Sequence, residues 1–120
     1  TMLLVKSFGF KFGLPPDADF VFDVRCLKNP HYEKSLRDLT GKDQPVKKFL
    51  DADNNVQKMS EDIKTFLLFW IPHFMRDSRN YLTIAIGCTG GKHRSVYLSE
   101  KLSNIFEKTM SVAVKHREIE

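Results

Sequence analysis

Only two cysteines stand in the 120 residues. Two cannot build a disulfide framework, so a reducing cytoplasm is the expected compartment. No apolar run approaches the ~20 residues that cross a bilayer. The longest, Phe66 to Met75, is broken by Pro72 and His73. The apolar stretch before Lys6 is too short for a secretory signal, and no membrane partner is expected. Five prolines and six glycines exclude collagen-like and low-complexity chains. No internal repeat is visible. The length suits one domain, taken here as residues 1–120.

What is present is a globular composition: 42% hydrophobic, 28% charged and 12% aromatic. Disordered chains lack that apolar content. The net charge is +4, with a pI near 9.1, which favours anionic partners. Its distribution is uneven. Residues 1–50 hold nine Lys/Arg and six Asp/Glu, residues 51–89 four and five, and residues 90–120 six and four. A near-neutral middle is flanked by two basic segments.

Residues 2–10 read as a strand, and Gly13 to Asp17 as a loop. Residues 19–25 form a second strand, rich in β-branched and aromatic residues. Residues 26–45 make a long polar connection, and such connections are often functional. A short helix fits 46–52. A long helix is predicted over 60–76, capped by Ser60, with Glu61 and Asp62 in its first turn. Ile63, Phe66, Leu67, Trp70, Ile71 and Phe74 recur at helical spacing and read as a core stripe. Pro72 should kink or end that helix. Residues 81–86 are almost wholly apolar, which suits a strand covered on both faces by helices. Residues 87–91 form a glycine-rich turn. Residues 92–109 form a helix burying Val96, Leu98, Leu102, Ile105 and Phe106, and 110–115 a last strand. This alternation predicts an α/β domain, with a mainly parallel sheet flanked by helices.

The chemistry concentrates in Gly87-Cys88-Thr89-Gly90-Gly91-Lys92-His93-Arg94-Ser95. A strand precedes it and a helix follows. Ligands bind at the carboxyl ends of such strands, where a helix start offers unpaired N–H groups and partial positive charge. Gly90 and Gly91 let backbone approach a ligand. Thr89 and Ser95 add hydroxyls, and Lys92, His93 and Arg94 add charge. The combination predicts a phosphate-like anion. It is not a Walker A loop, because three residues separate Gly87 from Gly91 and His93 stands where Ser or Thr should. Cys88-x5-Arg94-Ser95 has the spacing of cysteine phosphatases, in which a thiolate attacks phosphorus. That is the alternative reading. It lacks a Trp-Pro-Asp type of acid loop, leaving Asp17, Asp19 and Asp23 as donors.

The long connection carries Arg25, Asn29 and His31. Arg can grip a phosphate with two parallel bonds, and His31 can donate to an anion or pack beside Tyr32. Cys26, His31, Cys88 and His93 lack zinc-ligand spacing, so no metal is expected. Lys6, Lys11, Lys28, Lys115, His116 and Arg117 could neutralise nucleic-acid phosphates, though no RRM, KH or helix-turn-helix signature is visible.

A longer set of motifs narrows this reading. They are Ser7-Phe8-Gly9-Phe10-Lys11, Asp17-Ala18-Asp19, Phe22-Asp23-Val24-Arg25, Asn29-Pro30-His31, Leu39-Thr40-Gly41, Tyr81-Leu82-Thr83, Ile86 through Tyr97, and His116-Arg117. Together they resemble the C-terminal domain of the RapZ/YvcJ family of RNase adapter or nucleotide-binding proteins. The resemblance implies a fold similar to a phosphofructokinase subdomain. It implies a glucosamine-6-phosphate sensor that binds small RNAs and presents one to an RNase, and a homo-oligomer. By motif match, Cys88 to Arg94 and His31 would form the phosphosugar site. Lys11, Arg25, Arg94, Lys115, His116 and Arg117 would face RNA. ATP or GTP would belong to an N-terminal domain absent from these residues, leaving this domain without a cofactor or catalytic residues of its own.

Overall fold

A computed structural model describes residues 2–76 and 79–119. Four strands and three α-helices follow in the order β1 (Met2–Gly9), β2 (Phe20–Asp23), α1 (Gln44–Asp51), α2 (Asn54–Met75), β3 (Tyr81–Cys88), α3 (Arg94–Phe106) and β4 (Ser111–His116). Short 3-10 turns occupy Phe10–Phe12 and Pro30–Tyr32. All strand pairs are parallel, in the order β2-β3-β1-β4.

That order decides which face each connection crosses. The steps from β2 to β3 and from β3 to β4 move the same way across the sheet. The step from β1 to β2 moves the opposite way. Right-handed crossovers therefore put the first connection on the face opposite the other two. Leu3 and Val5 share one face with Leu82, Ile84 and Ile86, because strand side chains alternate. These five form a single cluster with Val46 and Leu50 of α1, Ile63, Leu67 and Ile71 of α2, and Leu98, Leu102 and Phe106 of α3. Each such buried side chain contributes about 1.5–3 kcal/mol.

Among the described residues, the other face carries no α-helix. Residues 10–19 cross it instead: Phe8 and Phe10 lie over Gly87, and Asp17 pairs with Lys6 at 3.2 Å. Phe8 is fully buried there, outside the main cluster. The expectation of helices on both faces of β3 is thus corrected. Its burial on that side comes from aromatic rings and a loop.

The long helix starts six residues before its predicted cap. Asp53, not Ser60, accepts the N–H groups of Asn55 and Val56, and Ser60 is buried inside the helix. The helix runs through Pro72 to Met75. Of the predicted stripe, Ile63, Leu67 and Ile71 are core, whereas Phe66, Trp70 and Phe74 remain about 40% exposed. Three helical elements are tied together by Tyr97 of α3. Its hydroxyl donates to the Asp51 carboxylate and accepts from Gln57 of α2. Burial, then the Asp51 contact, pushes this phenol up to about 12. No helix among the described residues is long and apolar enough to cross a membrane.

Candidate functional site

The site sits where β3 ends and α3 begins. Gly91 has φ of +74°, a conformation that favours glycine. A Cβ there would lie 2.5 Å from the Gly9 nitrogen, so the turn rests directly on the end of β1. Glu118 secures the contact from behind: its carboxylate accepts the Gly9 N–H at 2.9 Å. Gly41 donates its N–H to the Lys92 carbonyl at 2.8 Å, bringing the long connection against the same turn.

These elements enclose a cavity of about 460 Å³. Cys88, Thr89, Gly90, Lys92, His93 and Arg94 line it from the turn, Asn29, His31, Tyr32, Arg37 and Asp38 from the long connection, and Lys11 and Phe12 from the end of β1. Its charged lining is Lys11, Arg37, Lys92 and Arg94 against the lone carboxylate of Asp38. The first turn of α3 adds backbone N–H groups and the positive end of the helix dipole.

Arg94 is the central cation. It is 3% exposed, and its Nη1 donates to the carbonyls of Arg25 at 2.7 Å and Leu27 at 3.0 Å. That pins the start of the long connection over the turn. Its Nε is buried without a partner among the described residues. His93 is also buried, and its Nε2 lies 3.2 Å from the Leu36 carbonyl. A carbonyl only accepts, so Nε2 carries the hydrogen. Burial holds the His93 pKa below its ordinary value, and the ring is neutral at pH 7.

Residues 1–120 match the family model described as the RapZ C-terminal domain. The chain belongs to the RapZ C-terminal domain family. A nucleotide-binding protein of Aromatoleum aromaticum is 59% identical over 115 residues, 96% of this chain and 39% of its own length. Nucleotide-binding proteins of Burkholderia mallei and Burkholderia pseudomallei are each 58% identical over 117 residues, 98% of this chain and 39% of theirs. The chain therefore spans about two-fifths of the relatives it matches.

Against this RapZ frame, the structure gathers most of the residues read from sequence as anion ligands. His31 and Asn29 do meet Cys88, Thr89, Gly90, Lys92, His93 and Arg94 around one cavity. Three others stand behind it. Gly91 is buried against β1, Ser95 is buried with its hydroxyl 3.1 Å from Cys88 Sγ, and Arg25 points elsewhere. Arg25 chelates Asp23, with Nη2 at 2.7 Å, and stacks its guanidinium 3.9 Å above Phe10. That pairing holds the Asp23 carboxyl below its usual range.

The six residues read as RNA-facing do not share one surface. Lys11 is exposed at the cavity, and Lys115 lies on the helix-free face beside Lys6. His116 is a correction: it is 1% exposed, with Nδ1 2.7 Å from Ser7 and Nε2 2.6 Å from Glu100. β4 turns it inward because it aligns with Ser7 on the helix face. The linkage has the connectivity of a Ser-His-carboxylate triad, yet Ser7 has no exposed surface for a substrate to reach. Arg117 is tied to Glu118 at 2.8 Å and to the Gly13 carbonyl at 2.7 Å.

Sequence reasoning missed Arg37, Tyr32, Phe12 and Glu118. Arg37 lies six residues after His31, and its Nε donates to the His31 carbonyl at 2.9 Å. The long connection already carried a functional reading, so a basic residue there was a usable signal. Nothing local marks Glu118, whose partner is 109 residues away.

Proposed function

We propose that this RapZ-type domain is a regulatory module that senses a phosphosugar such as glucosamine-6-phosphate and binds RNA. The observation that carries the reading is Arg94: a buried guanidinium at a helix start, lining a cationic cavity, with an unpartnered Nε. The glycine turn and the first N–H groups of α3 take the phosphate oxygens. Arg94 supplies fixed positive charge, and His31 and Asn29 close the site from the long connection. The cavity exceeds what inorganic phosphate fills, leaving room for a sugar ring. RNA phosphates meet the exposed Lys11, Lys92 and Arg37 at the same mouth, so metabolite and RNA compete. An RNase is the protein partner of the RNA-bound form. ATP or GTP belongs to the remainder of the longer relatives, and no cofactor is assigned to this domain.

Cys88 is a floor residue in this reading, not a nucleophile. It is 2% exposed, and its Sγ lies 3.1 Å from the Ser95 hydroxyl. Calorimetric titration with glucosamine-6-phosphate, beside inorganic phosphate at equal ionic strength, tests the proposal. Preferential sugar-phosphate binding, lost in Cys-intact Arg94→Met, is expected. Equal affinity for the two would refute sugar recognition. Turnover of a phosphate ester abolished by Cys88→Ser would replace the reading with phosphatase chemistry.

A further inference from the structure

Two strongly exposed aromatic rings stand at the cavity. Tyr32 is 80% exposed and Phe12 57%, yet both line it, Tyr32 from the long connection and Phe12 from the end of β1. Each belongs to a 3-10 turn, so its backbone is set before anything binds. Asn29 caps the Pro30–Tyr32 turn by accepting the His31 N–H at 3.1 Å, and the His31 ring meets Tyr32 edge-on with centroids 6.0 Å apart. Lys11 Nζ lies 5.1 Å from the centre of the Phe12 ring. A phosphate group has no use for either ring. Exposed rings beside cations are instead the parts of a single-strand binding site, where bases stack on the rings and phosphates meet the charges.

We infer that the cavity takes the phosphomonoester end of a single-stranded RNA, with the terminal phosphate inside and the adjoining bases on Phe12 and Tyr32. The inference rests on the reading of the glycine turn and Arg94 as a phosphate site. Depth selects an end. Arg94 is 3% exposed, so a phosphate must enter the cavity to reach it. About 460 Å³ is the space of one small ligand, a class of site spanning roughly 300–1,000 Å³, and not of a strand passing through. A phosphate within a chain carries a nucleotide on each side, and both would need a way out. A terminal monoester needs only one. It also brings about −1.5 to −2 of charge and three free oxygens, where a backbone diester brings a single charge. The start of α3 and the Arg94 Nε, buried without a partner among the described residues, suit the richer acceptor.

Charge extends the argument beyond a lone sugar phosphate. Lys11, Arg37 and Lys92 are exposed, Arg94 is buried, and Asp38 is the one carboxylate among the described residues of the lining. Four cations against one carboxylate leave a net charge of +3. One phosphomonoester answers at most about two of these charges. A sugar monophosphate therefore leaves a cation unmatched at the mouth, and the next phosphate of an RNA meets it. Metabolite and RNA end share the inner phosphate position, and the RNA alone uses both rings. Stacking on a ring accepts any base, so little sequence preference is expected.

The test is calorimetry at fixed ionic strength with unstructured RNAs of about eight nucleotides, within the site sizes of single-strand binders. One RNA carries a 5′-phosphate, one a 3′-phosphate, and one hydroxyls at both ends; uridine monophosphate represents a free nucleotide. A phosphorylated end should bind at least about tenfold tighter than the hydroxyl form, and glucosamine-6-phosphate should displace it. Phe12→Ala and Tyr32→Ala should each weaken the phosphorylated RNA at least about fivefold, whereas Phe12→Trp and Tyr32→Phe keep its affinity. Equal affinities for phosphorylated and hydroxyl RNAs, while glucosamine-6-phosphate still binds, overturn the inference and leave the phosphosugar reading standing. So does undiminished affinity in the chain carrying both alanines. Uridine monophosphate bound as tightly as the phosphorylated RNA overturns it in favour of a free nucleotide. A domain that binds neither sugar phosphate nor inorganic phosphate refutes the phosphate site and the inference with it. The comparison of the three RNAs needs no variant, so it decides the matter even if a substitution unfolds the chain.

Discussion

Gly90 and Gly91 are neighbours in one turn, yet alanine should act on them in opposite ways. At Gly91 the added methyl meets fixed atoms. It would lie 2.5 Å from the Gly9 nitrogen and 2.7 Å from the Phe8 carbonyl carbon, both main chain of β1. A φ of +74° costs a non-glycine residue about 1–2 kcal/mol by itself. The third neighbour, Glu118 Cγ at 2.5 Å, belongs to the side chain that satisfies the Gly9 N–H. Pushing it aside leaves a buried donor unmet, at about 1–3 kcal/mol. Gly91→Ala should therefore lose about 3–4 kcal/mol, a large share of the ~5–15 kcal/mol of a typical domain. With m near 2 kcal/mol/M, the urea midpoint falls by roughly 1.5–2 M. At Gly90 nothing lies within 4 Å of the added methyl. Gly90→Ala should stay within about 0.5 kcal/mol of the parent. It projects into the cavity lining, however, and should weaken phosphate-ester binding at least about tenfold, which is ~1.4 kcal/mol. Urea unfolding followed by circular dichroism, with calorimetry on the folded variants, separates the two effects. Equal stability losses at the two positions, or a Gly91→Ala loss under about 1 kcal/mol, would refute the claim that the turn rests on β1.

Arg94→Met strands the carbonyls of Arg25 and Leu27; urea unfolding should show a loss of about 3 kcal/mol, and the calorimetric signal for phosphate esters should vanish. His93 has its pKa depressed in the fold, chiefly by burial. Its stabilising contribution is complete above the unfolded value near 6.5 and is lost as pH falls through the folded value. The urea midpoint of the parent should accordingly fall between pH 7.5 and pH 5 by more than that of His93→Gln, and parallel curves would count against it. Glu118→Ala removes the acceptor of the Gly9 N–H and the partner of Arg117. It should cost about 1–2 kcal/mol and speed amide exchange at Gly90 and Gly91, with a several-fold weaker phosphate-ester affinity; unchanged exchange would show that the tail does not brace the turn.

Much of the site was legible because its signal is local. A strand, a glycine-rich turn and a basic helix start follow one another within Tyr81 to Phe106, and that order alone puts unpaired N–H groups and cations together. His31 was legible as a partner of that turn only through the family resemblance, since no local spacing joins the two. Its place at the cavity depends on Arg94 pinning the carbonyls of Arg25 and Leu27, across 69 and 67 residues. The RNA-facing reading of His116 failed for a related reason: a short basic tail looks solvated until β4 pairs with β1 and aligns it with Ser7.

By itself the sequence determined the elements and their type, since periods of 2 and 3.6 are properties of a segment and its own side chains. It also determined the glycine-rich turn between β3 and α3. Which surfaces met was decided by tertiary structure. A helical stripe records that Ile63, Phe66, Leu67 and Trp70 are apolar, not how wide a face the sheet can cover. The sheet ends at the short edge strand β2, so Leu67 is buried and Trp70 is left at the surface. The order β2-β3-β1-β4 sends three helices to one face and a loop to the other, and places residues 109 positions apart in contact behind the glycine turn. Strand order follows from crossover handedness and competition for one core, and no local pattern of residues encodes either.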